Sequence, residues 1–309
     1  MDIKCNLIID SCCDLPYELI DREGVYLLKY PYTDSSGEHL DDLYQSISDH
    51  DFYEGMRNGE EPQTAQIPMV AFNEAFDWAH NEGLPCVFLS FSSGLTGTFD
   101  TAQIVLEQKK QEHPDLELYA VDTKLASVAE ALLVYEALRQ RERGLSAKEL
   151  ADWASEAHYF INEEFMLDDL EALRRGGRIP SSVAHAGAKL DVKPLLTIDD
   201  EGKLALSGVA RGRKKGIKAL VEYYEKNKAD GMPNNNIVIG HSDCPKDAQR
   251  LVELLRKIDE SAIVIESRIG PVIGSHVGPG MLAIVFWGED SRLNMSVADR
   301  LAHKVKGKQ

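Results

Sequence analysis

No two cysteines in this 309-residue chain stand in a C-x-x-C spacing, and the total of five (Cys5, Cys12, Cys13, Cys86, Cys244) is odd. A disulfide framework and a cysteine zinc site are both excluded by that spacing, so the thiols read as reduced. The HExxH and HxxxH spacings of histidine zinc sites are missing, as are GxGxxG and GxxxxGK[ST], which disfavours zinc, dinucleotide and P-loop chemistry. No apolar run approaches the roughly 18 residues of a bilayer span. The longest, at residues 7–9 and 281–287, have the length of strands. The opening Met-Asp-Ile-Lys-Cys has neither a basic n-region nor an apolar h-region, and a cytoplasmic location is expected. Positive charge is also short: 34 Lys and Arg stand against 51 Asp and Glu, a formal charge of −17. That balance repels phosphate backbones and anionic headgroups, so neither nucleic acid nor an integral membrane association is expected as a partner.

What is present is an ordinary globular composition, 43% hydrophobic and 28% charged, with enough length for two domains. Short apolar runs at 4–10, 25–32, 86–90 and 116–121 alternate with helical patterns, which predicts an α/β fold. The helix at 68–82 opens with Pro68 and places Val70, Ala71, Ala75, Trp78 and Ala79 on one face; another covers 127–143 before Gly144. A further helix is predicted at 146–158. Beyond it, strands at 192–198, 204–210, 236–241, 262–266 and 281–287 and long helices from Arg213 and Pro245 follow a different spacing. Asp200, Glu201 and Gly202 read as a hairpin turn, so the second sheet is expected to be mixed. The division anticipated is an N-terminal parallel-sheet domain over 1–160, a C-terminal mixed-sheet domain over 161–288, and a polar tail over 289–309.

Charge is unevenly laid out. Residues 34–61 hold nine acids against Arg57 alone, whereas 189–218 hold eight bases against four acids. In an acidic chain the second surplus, with Lys193, Arg211, Arg213, Lys214, Lys215 and Lys218, reads either as an anion-recognition patch or as a solvated helix start.

Five segments look constrained beyond the needs of folding: IIDSCCDLP (8–16), QTAQIP (63–68), SSGLTGT (92–98), LRRGGRI (173–179) and IGSHVGPG (273–280). Ser92, Ser93 and Gly94 follow a strand and precede a helix, which puts hydroxyls and amides where open α/β sheets bind ligands; an N-capping turn uses the same residues. Thr64 reads equally as an ST-turn before Pro68 or as a ligand hydroxyl. Arg174, Arg175 and Arg178 around a Gly-Gly pair suit either close approach to an anion or a glycine-capped helix end. His276 lies in a run whose glycines suggest a loop approached closely by something. Ser93 lacks the flanking glycines of a nucleophile elbow, since Phe91 and Leu95 stand there, which argues against a serine hydrolase.

Taken together, the order and spacing of these segments resemble the DegV family of bacterial fatty-acid-binding proteins, over nearly the whole chain. The family's I-x-D-S-x-x-D-L-P opening matches residues 8–16, and its S-S-G-L-S-G-T matches 92–98 with Thr96 for Ser. Its T-S-Q-P element is close to 64–68, with Ala65 and Ile67 where the family commonly has Ser and Pro. VDTKLAS (121–127), LRRGGRI, KPLLTIDDEGKL (193–204) and IGSHVGPG follow suit. The resemblance implies a two-domain, DegV-like α/β protein that is not an enzyme and has no cofactor. It implies one long-chain fatty acid between the domains, the carboxylate held by Thr64 and Ser93. Ser92, Gly94, Arg174, Arg178, Arg211, Arg213 and His276 would form the head-group or phosphate region. The partner it implies is a fatty acid kinase that phosphorylates the bound carboxylate for phospholipid synthesis. A lipid-responsive regulator without a kinase and a serine carboxylester hydrolase using Ser93 with His276 are the competing readings.

Overall fold

The computed structural model describes residues 2–179, 191–229 and 236–294. The chain opens with β1 (Asn6–Asp10), a 3-10 turn (Ser11–Cys13), the short helix α1 (Tyr17–Ile20) and β2 (Val25–Leu28). There follow β3 (Pro31–Asp34), β4 (Gly37–Leu40), α2 (Asp49–Arg57) and β5 (Gln63–Thr64). Then come α3 (Met69–Asn81), β6 (Cys86–Ser90), α4 (Thr98–Glu112), β7 (Leu118–Asp122), α5 (Val128–Glu142) and α6 (Ala147–Ala157). After residue 160 the order is β8 (Ile161–Met166), α7 (Glu171–Arg175), β9 (Val192–Ile198), β10 (Leu204–Arg211), α8 (Arg213–Asn227) and β11 (Asn236–His241). α9 (Pro245–Arg256), β12 (Ile263–Arg268), α10 (Pro271–Val277) and β13 (Leu282–Trp287) complete it. The anticipated tail lies outside the described residues from 295 onward.

Four parallel strands in the order β2-β1-β6-β7 form the first sheet. Its central strands β1 and β6 are buried at every position, which is why they appear in the sequence as unbroken apolar runs rather than alternating ones. The second sheet has the order β10-β9-β8-β13-β11-β12, with only β11 and β12 parallel, and is mixed as expected. The hairpin at 199–203 is in place, Asp199 Oδ1 accepting from the amides of Glu201 (3.0 Å) and Lys203 (2.9 Å).

Three expectations are corrected. The single strand anticipated at 25–32 is two strands in different sheets, because Pro31 has no N–H for a central ladder; the chain turns at Tyr30, whose amide donates to Ser11 Oγ (3.1 Å). β3 then heads a small antiparallel sheet, β4-β3-β5, that places Thr64 opposite Tyr32. The inward face of α3 is carried by Phe72, Ala75, Phe76 and Ala79, an i, i+3, i+4, i+7 set, while Val70 in the first turn is 62% exposed. Phe72 and Phe76 lock against Phe88 of β6 with ring centroids 5.8 and 6.2 Å away. The glycine-rich string 273–280 is largely helix. Pro271 occupies the first helical position, and Gly274 is there because Tyr53 Oη and the Phe52 ring occupy the space a Cβ would take.

Between the sheets runs α5, whose first seven residues, 128–134, are all buried, with ten buried in the whole helix. It packs against β8, β11 and β13, and its side chains share one core cluster with Leu7 and Ile9 of β1 and with Ala283 and Val285 of β13. Among the described residues no helix is long and apolar enough to cross a membrane.

Glu130 sits in that buried stretch of α5: it is fully buried, and neither carboxyl oxygen has a hydrogen-bond partner among the described residues. Burial first, then the nearby Asp10, Asp14 and Asp122, push its carboxyl well above the usual range. A folded-state value above the unfolded one gives stability that is complete at low pH and is lost as pH rises from about 4 toward the folded value. Glu130→Gln should therefore gain on wild type between pH 5 and 8, by at most about 1.4 kcal/mol per pH unit. Urea unfolding across that range measures it; a difference that does not change with pH would show that Glu130 does not titrate.

Candidate functional site

A cavity of about 760 Å³ lies where the carboxyl ends of the parallel strands face the second sheet and α10. Cys12 follows β1, Tyr30 follows β2 and Phe91 follows β6, while Ala126, Ser127 and Val128 stand between β7 and α5. Opposite them are Glu163 and Phe165 of β8, Ile198 and Leu204 at the β9–β10 hairpin, and Val272, Ile273, His276 and Val277 of α10. Open α/β sheets bind ligands outside the carboxyl ends of their strands, where this cavity lies. The lining is mostly apolar because each contributing segment is a core element at its end.

Three polar side chains gather at one end. Thr64, Arg178 and His276 line the cavity and also a surface cleft with Glu61, Arg175 and Ser275, so they mark the cavity's mouth. Thr64 Oγ1 and His276 Nε2 are 2.8 Å apart. His276 Nδ1 is buried without a partner. Burial foremost, then the charges of Arg178 and Arg175, push the imidazole down to about 4. A neutral ring results, beside guanidinium groups that are charged. The Gly-Gly pair of LRRGGRI has a local cause: Gly177 takes the left-handed φ of +70° that ends α7, and His276 Nδ1 fills the space where a Cβ on Gly176 would sit.

The remaining residues anticipated for the site lie elsewhere. Ser93 Oγ donates to Asp122 Oδ2 (2.5 Å) and accepts from Lys124 Nζ (2.7 Å), and Ser93 does not line the cavity. Its pairing with His276, which a hydrolase needs, is not formed. Ser92 Oγ donates to the Gly202 carbonyl (2.8 Å) and accepts from the Gly94 amide (3.1 Å), so this loop is tied to the β9–β10 hairpin. The N-cap of α4 is Gly97, without a side-chain cap, so the capping reading of those serines does not hold either. Arg174 pairs with Glu171 (2.9 Å) on the outside of α7. Arg211 is exposed at the end of the edge strand β10. Arg213 bonds Asp247 (2.6 Å) and Asp168 (3.0 Å).

Several polar residues that the motifs do not single out as site residues also reach the cavity, among them Thr96, Gln66 and Glu163. Thr96 Oγ1 lies 3.0 Å from Thr98 Oγ1, at the entry to α4. In the sequence nothing separates Thr96 from Ser93, a hydroxyl of the same loop.

The model described as "Uncharacterised protein, DegV family" matches residues 4–289. The chain belongs to the DegV family. A DegV domain-containing protein of Clostridium perfringens is 35% identical over 93% of this chain and 98% of its own length. Among solved structures, this DegV chain is similar to a fatty-acid-binding DegV family protein of Thermus thermophilus, at 26% identity and a TM-score of 0.81 over 93% of this chain and all of that one. It shares the fold of the Streptococcus pneumoniae Fatty Acid Kinase (Fak) B3 protein loaded with linoleic acid, at 21% identity and a TM-score of 0.81, over 93% of this chain and all of that one. Among the described residues no cluster of His, Cys, Asp and Glu could hold a metal ion.

The mouth makes a direct prediction. Removing a positive charge from beside the imidazole in Arg178→Ala should raise the His276 value from about 4 toward the ordinary 6.5, although burial keeps it below that. NMR titration of the ring reports it, and an unmoved value would place the cause in burial alone. The folded value lies below the unfolded one, so wild type loses stability as pH falls from about 6.5 to 4, and Arg178→Ala should lose less.

Proposed function

We propose that this protein binds one long-chain fatty acid non-covalently as a cytoplasmic carrier. The tail occupies the apolar cavity, and the carboxylate sits at the mouth among Thr64, His276 and Arg178. Thr96 supplies a second hydroxyl. Ser93, committed to Asp122 and Lys124, holds the loop that carries Thr96 rather than the ligand itself. The observation that carries this reading is the division of chemistry in one cavity, mostly apolar along its length, with Thr64, Arg178 and His276 where it opens. The fatty-acid-binding relative from Thermus thermophilus supports it.

The energetics divide the same way. Each buried methylene contributes about 0.8 kcal/mol, so affinity resides in the tail. A carboxylate leaving water costs several kcal/mol unless donors and a cation replace its hydration; the mouth residues limit that cost and fix the head group's direction. The bound carboxylate is then presented to a fatty acid kinase, which converts it to an acyl phosphate for phospholipid synthesis. Likeness to the pneumococcal Fak B3 protein supports that step. Arg175 and Arg178 face the same mouth and stand where a transferred phosphoryl group needs charge. The carrier is organised as two units meeting near residue 160, with the ligand between them.

Native mass spectrometry of the purified protein should find one co-purifying fatty acid, released on denaturation. Saturated acids of increasing length should bind with affinity rising per methylene until the cavity is full. Thr64→Ala and Thr96→Ala should each weaken binding by only about 1 kcal/mol while lowering acyl-phosphate formation more strongly. Equal affinity for short and long acids would rule out the enclosed tail, and binding without any kinase turnover would leave a lipid-responsive regulator.

A further inference from the structure

Glu163 lies on the cavity wall but not in the outer cleft where Thr64, Arg178 and His276 gather. Side chains alternate along a strand, so Glu163 and Phe165 share the cavity face of β8. Glu164 points the other way and accepts from Ser207 Oγ (2.8 Å). Glu163 is 6% exposed, and its Oε1 has no hydrogen-bond partner. The neighbouring hydroxyl does not serve it, since Thr197 Oγ1 donates to the main-chain carbonyl of Glu163 (2.9 Å). Burial pushes the carboxyl up to about 8, the Ile198 amide holding it partly back. At neutral pH the group is a carboxylic acid, with a donor and an acceptor set among Phe165, Ile198 and Leu204.

We propose that Glu163 recognises an oxygen function on the buried part of the ligand's tail, which makes hydroxylated long-chain acyl groups the preferred cargo. The inference rests on the fatty-acid reading above and names its substrate class. A methylene laid against Glu163 leaves its Oε1 unpaired in a mostly apolar cavity, whereas a hydroxyl can donate to it or accept from it. A site with a polar group in place discriminates strongly against ligands that lack the matching one. The head group is read at the mouth, so Glu163 selects the chain without disturbing the carboxylate.

The test titrates the full chain, as wild type, Glu163→Leu and Glu163→Gln, with stearic acid and with hydroxystearic acids bearing the hydroxyl at successive positions. Displacement of a fluorescent fatty acid reads the affinities. At least one positional isomer should gain about tenfold over stearic acid in wild type relative to Glu163→Leu. Glu163→Gln should retain the preference, because an amide also donates and accepts. Wild type and Glu163→Leu giving the same ratio for every isomer would overturn the inference and leave fatty acid binding intact. Should the leucine variant fail to fold, wild type binding stearic acid better than every hydroxy isomer overturns it alone. Wild type binding none of these acids would overturn the fatty-acid reading and this one together.

Discussion

The site depends on one buried carboxyl. Asp14 sits in a left-handed turn after β1, 2% exposed, and accepts from Ser127 Oγ (2.5 Å) at the head of α5 and from the Gly270 amide (2.8 Å) just before α10. Its main-chain carbonyl accepts from Ser267 Oγ at the end of β12. Tyr44 and Tyr53 add a second hold on the same loop, both donating to the Ile269 carbonyl at 2.6 and 2.7 Å. These bonds join the parallel sheet, α2, α5 and the mixed sheet where α10 begins. α10 carries His276, and His276 positions both Thr64 and the Gly176 backbone. Burial, followed by the charge of Asp41, pushes the Asp14 carboxyl well up. The fold therefore tolerates an electrostatically poor placement because the backbone and hydroxyl donors there have no other partner of comparable geometry.

That arrangement explains why a cavity persists in the core of a close-packed protein. Its walls are strand ends, a sheet face and a helix pinned at its N-terminus, none of which can collapse inward without breaking ladder or loop hydrogen bonds. Ile67, fully buried among Tyr32, Phe52 and Phe72, anchors the segment after Thr64 into that framework. That packing and the pairing of Thr64 with Tyr32 fix the loop between β5 and α3.

Legibility followed burial. β1 and β6 are visible in the sequence because strands covered on both faces are contiguous apolar runs, and α5 because a helix between two sheets needs no polar stripe. The inward phase of α3 is not readable because apolar Val70 is exposed and Trp78 packs at the rim against Tyr26 of β2, while Phe72 and Phe76 meet Phe88 of β6. α10 was invisible because glycines that allow close helix packing look the same in sequence as glycines that open a loop. Thr64, Arg178 and His276 were recoverable from motif context. Ser93 was not separable from Thr96, since both are hydroxyls in one loop and only the turn between them decides which reaches the cavity. Glu163 left no signal, because one acid among β-strand residues is indistinguishable from a solvent-facing one until the sheet acquires a covering layer.

Charge shows the same limit in another form. The surplus of bases at 189–218 reads as a positive patch along the sequence, yet the fold distributes it onto acids from other elements. Lys193 and Arg213 converge on Asp168, Arg213 also takes Asp247, and Lys218 pairs with Glu222 one turn on in α8. Of that segment's cations, Arg211, Lys214 and Lys215 keep exposed positions with no acid among the described residues within salt-bridge distance. The cations at the mouth of the cavity, Arg175 and Arg178, come instead from the short LRRGGRI run, and Arg175 is itself anchored by Glu61 at 3.0 Å. Which charges stand beside the apolar opening, and which are neutralised, is set by tertiary pairing and not by local composition.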